Sequence, residues 1–267
     1  MLKLLISAAA ISIVAAAANA ASLADIKARG YLNAATSGNL PPVSFLNEDN
    51  ELDGYDIQVE KYVQDKLGVE IRMNRLDFKG ILPGLQTGRF DAVFSNVNIT
   101  EDRKATFDYS IPYSRSAVVV VKSSKAEGIN GYKDLAGKRV GAISGANDGE
   151  MPAQDIASKF GAFSQFKGYA GYAEMFQDLA IGRVDALIAP DTAAANFLKQ
   201  RQGIGAIVGE PYQIRYVGVP MPKGSPDLKA AIDAAITEMR QKGLLDQWAS
   251  KYFGIDNFSA QLVDKVP

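Results

Sequence analysis

The sequence predicts an α/β protein built of two similar lobes, and three observations carry that prediction. The segment LQTGRFDAVF at 85–94 returns as LAIGRVDALI at 179–188, with Leu, Gly, Arg, Asp and Ala recurring in register. Each copy reads as a helix ending at a glycine (Gly88, Gly182), a basic residue, then a short apolar strand opened by an Asp, which is a connection of parallel-sheet type. Strand-like apolar runs and helix-period segments alternate over the rest of the chain. No Pro-rich or Ser-rich linker separates the copies, so ordered strands are expected to join the lobes, with SAVVVVK at 116–122 the leading candidate. A chance match, or a common helix-to-strand loop, is the competing account of the repeat. Ligands of open α/β sheets bind beyond the carboxyl ends of such strands, which directs attention to Ser95, Asn96 and Asn98 after the first copy and to Asp191 and Thr192 after the second.

Residues 1–20, MLKLLISAAAISIVAAAANA, carry an early Lys3, an uncharged apolar run, and Ala18, Asn19 and Ala20 in the small-x-small pattern of a signal peptidase site. They are expected to be a cleaved secretory leader, with the mature chain starting at Ala21. The run is shorter than the ~20 residues that span a bilayer, which disfavours an anchor. Next, 23–29 reads as a short helix ended by Gly30, and 31–35 as the first strand, with a turn-rich segment to Pro42 beyond its carboxyl end. An amphipathic helix at 54–68 has Ile57, Val63 and Leu67 on one side. A strand at 69–76 and a helix at 79–87 then feed the first repeat strand. The SAVVVVK run is a buried strand. A strand at 138–143 leads through the loop SGAND to a helix from about Asp148, and helices follow at 172–182 and 192–200. Residues 212–221 return to strand character. The segment 226–253 splits near Gly243 into two helices, with Ala231, Ile232, Ala235, Ile236 and Met239 on one face of the first and Leu244, Leu245, Trp248 and Phe253 in the second.

Composition narrows the chemistry. With neither His nor Cys, the chain has no disulfide, no Ser-His-Asp triad, no thiol nucleophile and no thiolate or imidazole zinc site. It also lacks the cysteine that a bacterial lipoprotein acylates, so an exported chain of this kind is expected to diffuse freely in the periplasm. The 29 basic and 30 acidic residues lose only Lys3 with the leader, leaving a net charge of minus two. That balance argues against nucleic acid or an anionic membrane as partner. Neither a Walker loop nor GxGxxG occurs, and no cofactor or metal is expected.

Several residues beyond the strand ends have the chemistry of a ligand site. Thr100 is a good N-cap, and Arg103 then falls in the first helical turn, where a cation opposes the helix dipole unless it has another task. Together with Ser95, Asn96 and Asn98 it would suit a planar anion such as a carboxylate. A surface Arg satisfied by Glu101 or Asp102 is the alternative. In the other lobe Ser144, Gly145 and Ala146 lead to Asn147 and Asp148, where backbone amides could meet a ligand or simply form a turn. Asp191 could face the amine of a zwitterion or cap its own helix. Phe45, Phe94 and Tyr113 are expected in the core, whereas Phe78, beside Lys79 and Gly80, is the aromatic best placed to face a ligand.

Four segments, LPPVSFLNEDNELDGYDIQV at 40–59, DFKGILPGLQTGRFDAVFSNVNITEDRKATFDYSIPY at 77–113, GYKDLAGKRVGAISGAN at 131–147 and GLLDQWASKYFG at 243–254, resemble family 3 extracellular solute-binding proteins, the polar amino acid receptors of ABC importers. The resemblance implies the type II periplasmic binding protein fold. In that fold two α/β lobes, each a sheet flanked by helices, are joined by two hinge strands and close on the ligand as a clamp. The lobes would comprise 21–117 with 212–267, and the inserted 118–211. It implies that Arg103 grips the α-carboxylate, that Ser95 and Asn98 bind the amino acid, and that Ala146 and Asn147 meet the carboxylate from the second lobe.

Three departures qualify these implications. Leu40 and Val43 stand where many members have aromatics, Phe78 stands where Trp or another apolar residue is frequent, and Pro190 stands where the ammonium-binding Asp usually falls, one place before Asp191. The function implied is a monomeric periplasmic receptor that delivers an amino acid or related zwitterion to an inner-membrane permease. A dehydratase of the same fold acting on a prephenate-like acid is the alternative, and a sensor domain for a signalling kinase a more distant one.

Overall fold

The repeated segment is one structural solution used twice. The computed structural model describes residues 21–146, 148–264 and 266; the leader expected at 1–20 and the candidate Asn147 lie outside them. The chain begins with α1 (Leu23–Arg29), β1 (Tyr31–Thr36), a small hairpin of β2 (Phe45–Leu46) and β3 (Leu52–Asp53), and α2 (Tyr55–Leu67). It continues through β4 (Glu70–Arg75), α3 (Phe78–Gln86), β5 (Ala92–Val93), α4 (Glu101–Thr106) and β6 (Phe107–Tyr109). The middle comprises β7 (Ser114–Ser123), β8 (Arg139–Ile143), α5 (Glu150–Phe160), β9 (Gln165–Tyr169), α6 (Tyr172–Ile181), β10 (Ala186–Pro190), α7 (Asp191–Gln200) and β11 (Gly205–Val217). Then come β12 (Pro220–Pro222), α8 (Pro226–Gln241) and α9 (Leu244–Phe253).

One sheet has the order β4-β1-β5, all parallel, and the other β11-β7-β10-β8-β9. The repeat aligns them, because Ala34 pairs with Ala92 across β1 and β5 as Val140 pairs with Ala186 across β8 and β10. Its shared residues do shared work. Gly88 and Gly182 leave their helices with φ of 73° and 78°, a left-handed turn that side chains resist. Asp91 accepts the Asn33 amide at 2.7 Å, and Asp185 accepts the Arg139 amide at 2.8 Å, so each carboxylate ties the start of its strand to the strand beside it. Each also pairs with an arginine, Arg29 and Arg139 respectively.

The apolar run in β7 follows from its position. Val119 and Val121 face Met175, Phe176 and Leu179 on one side of the five-stranded sheet, while Val118 and Val120 face Leu135, Ala153 and Ile156 on the other. With both faces covered, every position is apolar and the alternation of a half-exposed strand disappears. β7 and β11 run antiparallel from Ser114 against Val217 to Ser123 against Gly205, with an irregularity between Val208 and Gln213, and these two long strands connect the lobes. In the first lobe Ile26, Leu32, Val59 and Val63 pack against Ile232, Ile236, Leu245, Phe253 and Phe258 from the far end of the chain.

The strand expected at 212–221 starts earlier, at Gly205, and is broken after Val217 before β12 resumes at Pro220. The helix expected from about Asp148 begins at Glu150. The hairpin, β6 and β9 carry too few alternating apolar residues to be read from sequence; in β9 only Tyr169 is buried.

Candidate functional site

The carboxyl ends of β1 and β5 meet in a cluster of polar groups. The Ser95 hydroxyl, 3% exposed, accepts the Ser37 amide at 3.0 Å and ties the two strand ends together. Asn96 turns the chain with a positive φ of 51°, and its amide donates to Asp56 Oδ2 at 2.6 Å. Val97 is buried in the core, so the polar residues Asn96 and Asn98 flank an apolar anchor. Thr100 caps α4 by accepting the Arg103 amide at 3.3 Å, as its sequence position predicts. Arg103 Nη1 donates to the Asn98 carbonyl at 3.1 Å, and the Tyr109 hydroxyl approaches the same oxygen at 3.4 Å. Among the described residues no carboxylate pairs with Arg103, and neighbouring Glu101 pairs with Lys104 instead. The buried Asn98 Oδ1 likewise has no partner. A cation with spare donors and an orphaned acceptor therefore lie side by side.

Leu40 and Phe78 remain 43% and 37% exposed, unusual for large apolar side chains. Phe78 opens α3 rather than sitting in a loop. Phe94 and Tyr113 are buried, as expected, whereas Phe45 is only half-buried.

In the second lobe the loop after β8 is closed upon itself. Gly145 gives its amide to Glu150 Oε2 at 2.6 Å, and the Ala146 amide approaches the Ile143 carbonyl at 3.4 Å. Asp191 is engaged by groups of the protein itself. Its Oδ2 takes Arg115 Nη1 at 2.5 Å and its Oδ1 takes the Ala117 amide at 3.2 Å, with both side chains buried. It is the first residue of α7, so it does not occupy the capping position either. Arg115 reaches on to Gln261 and lies over the Phe258 ring, so the pair links the connecting strand β7, the second lobe and the C-terminal segment. Nothing local in the sequence marks this pairing, because its partners are 76 and 146 positions away.

Asp56 was also not singled out from sequence, although its wheel position offers a signal: with Glu60, Val63 and Leu67 it shares the buried stripe of α2. Burial pushes its carboxyl up to about 7, against the lowering pull of the Asn96 amide and the Tyr113 hydroxyl. Glu60 is raised to about 7 by the same cause. Since both are raised, the folded state binds more protons than the unfolded state between about pH 4 and 7, and the stability they contribute at low pH is lost as pH rises through 7. Between pH 5 and 7, Asp56 will cost about 1 kcal/mol per pH unit. Urea denaturation at pH 5 and pH 8 checks this: Asp56→Asn, which can still accept the Asn96 amide, should flatten the decline, and an unaltered slope would refute the assignment.

A family model, bacterial extracellular solute-binding proteins, family 3, matches residues 32–255. The chain belongs to this family. It is 32% identical over 232 residues to the L-cystine-binding protein TcyJ of Escherichia coli K12, covering 86% of this chain and 85% of that protein. The L-cystine solute receptor of Neisseria gonorrhoeae, solved unliganded and open, superposes with a TM-score of 0.78 at 27% identity, covering 90% of this chain and 100% of that one. The ancestral amino acid-binding protein AncCDT-1, a precursor of cyclohexadienyl dehydratase, superposes with a TM-score of 0.64 at 29% identity, covering 86% and 99%. The family 3 fold is the type II periplasmic binding protein fold, with two sheets flanked by helices and joined by β7 and β11.

Proposed function

We propose that this chain is the solute-binding component of an ABC importer, holding an amino acid or related zwitterion between lobes formed by 21–117 with 212–267 and by 118–211. Arg103 carries the reading: its guanidinium lies at the carboxyl ends of β1 and β5, held by Asn98 O and without a carboxylate of its own among the described residues. Its free donors take the ligand carboxylate as a charge-assisted pair. Asn98 Oδ1 then offers the ammonium an acceptor, while Ser95 and Asn96 hold the floor and Leu40 and Phe78 form an apolar wall. Ala146 and Asn147 approach from the second lobe on closure. Asp191 reaches an amine only if its pair with Arg115 opens, so amine recognition rests first on Asn98. The receptor works as a monomer in the periplasm and passes its cargo to an inner-membrane permease.

The test is a thermal-shift screen of protein unfolded, dialysed free of ligand and refolded, against the amino acids, L-cystine and prephenate. A ligand at a thousandfold excess over Kd stabilises the folded state by about 4 kcal/mol. One or a few amino acids should raise the melting temperature. A shift with prephenate alone, followed by its turnover, would replace the receptor with a dehydratase of the AncCDT-1 kind.

A further inference from the structure

A separate pocket lies where the two connecting strands meet both lobes. It encloses about 200 Å³ between Ala195 of α7, Ala117 and Val119 of β7, Ile207 and Pro211 of β11, and Ile255 just beyond α9. Ser95, Asn96, Asn98 and Arg103 take no part in it. In the lobe boundaries given above, Ala195 belongs to the second lobe and Ile255 to the first. The lobes touch beside it, where a Cβ on Gly254 would lie 3.6 Å from Lys199 Cδ of α7. The space exists because β11 carries surplus residues. Val208 pairs with Val120 and Gln213 with Val118, so 209–212 stand against Val119 alone and bow out of the ladder. Gly209, at φ 70°, is pressed so close to the Asn130 carbonyl that a Cβ would come within 2.6 Å of its oxygen, and Pro211 has no N–H to give the ladder.

The side chains of the lining are apolar apart from the Arg115–Asp191 pair, whose members are 6% and 5% exposed. Arg115 Nη1 donates to Asp191 and Nη2 to Gln261, but the buried Nε has no hydrogen-bond partner among the described residues. A buried N–H without an acceptor is uncommon, and an oxygen placed against it removes a standing cost. Asp191 already balances the guanidinium charge, so a second anion would face that carboxylate where little water screens it. A neutral oxygen meets Nε without that repulsion. Ile207 is still 40% exposed, apolar surface that an occupant would cover.

We propose that this pocket binds a small neutral molecule, an apolar ring or branched chain carrying one acceptor oxygen such as a ketone or amide, with that oxygen on Arg115 Nε, and that its occupancy opposes closure of the lobes. At about 200 Å³ the space is smaller than a drug-sized site and suits roughly 6–10 non-hydrogen atoms. An occupant touches both lobes and both connecting strands in an arrangement that superposes on a receptor solved unliganded and open. Closing moves those walls against one another. A molecule held by the open arrangement therefore weakens amino acid binding, and by linkage an amino acid weakens its binding in return. The opposition to closure rests on the receptor reading above; the binding itself does not.

Cyclohexanone, a neutral ring with one carbonyl oxygen, and cyclohexanecarboxylate, its anionic counterpart, are the probes. Titrated into isotope-labelled, ligand-free protein and followed by the NMR signal of Arg115 Nε–H, cyclohexanone should shift that signal with a Kd of about 1 mM or tighter, and the carboxylate should bind at least about 10-fold more weakly. Ala195→Leu, which fills the pocket from a helical position where leucine is well tolerated, should abolish the shift. Saturating cyclohexanone should weaken the amino acid found by the thermal screen at least about 3-fold in the wild type and leave its affinity for Ala195→Leu unchanged. No shift of Arg115 Nε–H, or an equal shift in Ala195→Leu, would overturn the site, and equal binding of the carboxylate would overturn the neutral ligand class. A shift with no loss of amino acid affinity would overturn the opposition to closure. Failure of every amino acid to bind would remove the receptor reading and the opposition to closure together, while the Arg115 signal would still decide the site.

Discussion

Arg103→Ala will remove amino acid binding, with a loss of at least about 100-fold, while the unliganded protein keeps its melting temperature. Truncating one member of a desolvated charge pair costs roughly 2–5 kcal/mol, and the ligand carboxylate would be left uncompensated inside the closed clamp. The fold loses little, because among the described residues the guanidinium makes one hydrogen bond, to Asn98 O. Arg103→Lys should recover only part of the affinity, since an ammonium cannot present the planar fork. Calorimetry with the ligand found by the thermal screen decides it: affinity retained within about 3-fold would sink the assignment of Arg103 as the carboxylate grip.

Arg115→Met will destabilise the protein by about 3–5 kcal/mol, because it strands the Asp191 carboxylate in a site where that residue is 5% exposed. The cost comes from the orphaned charge more than from the lost attraction. Replacing both partners, Arg115→Met with Asp191→Leu, should therefore restore most of the stability, as apolar replacements of buried pairs commonly do. Urea denaturation of the two variants distinguishes the explanations. A single variant within about 1 kcal/mol of wild type would mean that water reaches Asp191 and that the pair is incidental.

The division between what the sequence revealed and what it hid follows from range. Gly88, Gly182, Asp91 and Asp185 act on their own helix ends or on the neighbouring strand, and the repeat exposes them because the same local problem is solved twice. Arg103 drew attention as a cation in a first helical turn, but α4 is only six residues long and Arg103 falls in its last turn as well, so the dipole conflict that marked it in the sequence is weak in the structure. Asp191 was legible as a charged residue beyond a strand end, but its partner was not. Arg115 sits at the start of an apolar strand and finds its partners only after the chain has folded back twice. The strand β9 escaped for the complementary reason, since an edge with one buried residue has no periodicity to read.

The way the two cores draw on the chain bears on the order in which it can fold. The core of the first lobe joins Ile26 and Leu32 to Leu245, Phe253 and Phe258, so it cannot close until the segment that follows the second lobe is available. The two clusters of the second lobe use only residues between Val118 and Tyr212, together with Ala117. A chain that emerges amino end first can therefore complete its inserted lobe while the lobe that begins the sequence is still open, and long-range closure is the slow step. The helices α8 and α9 act as a late fastening for the first lobe, whose core stays open until they are in place.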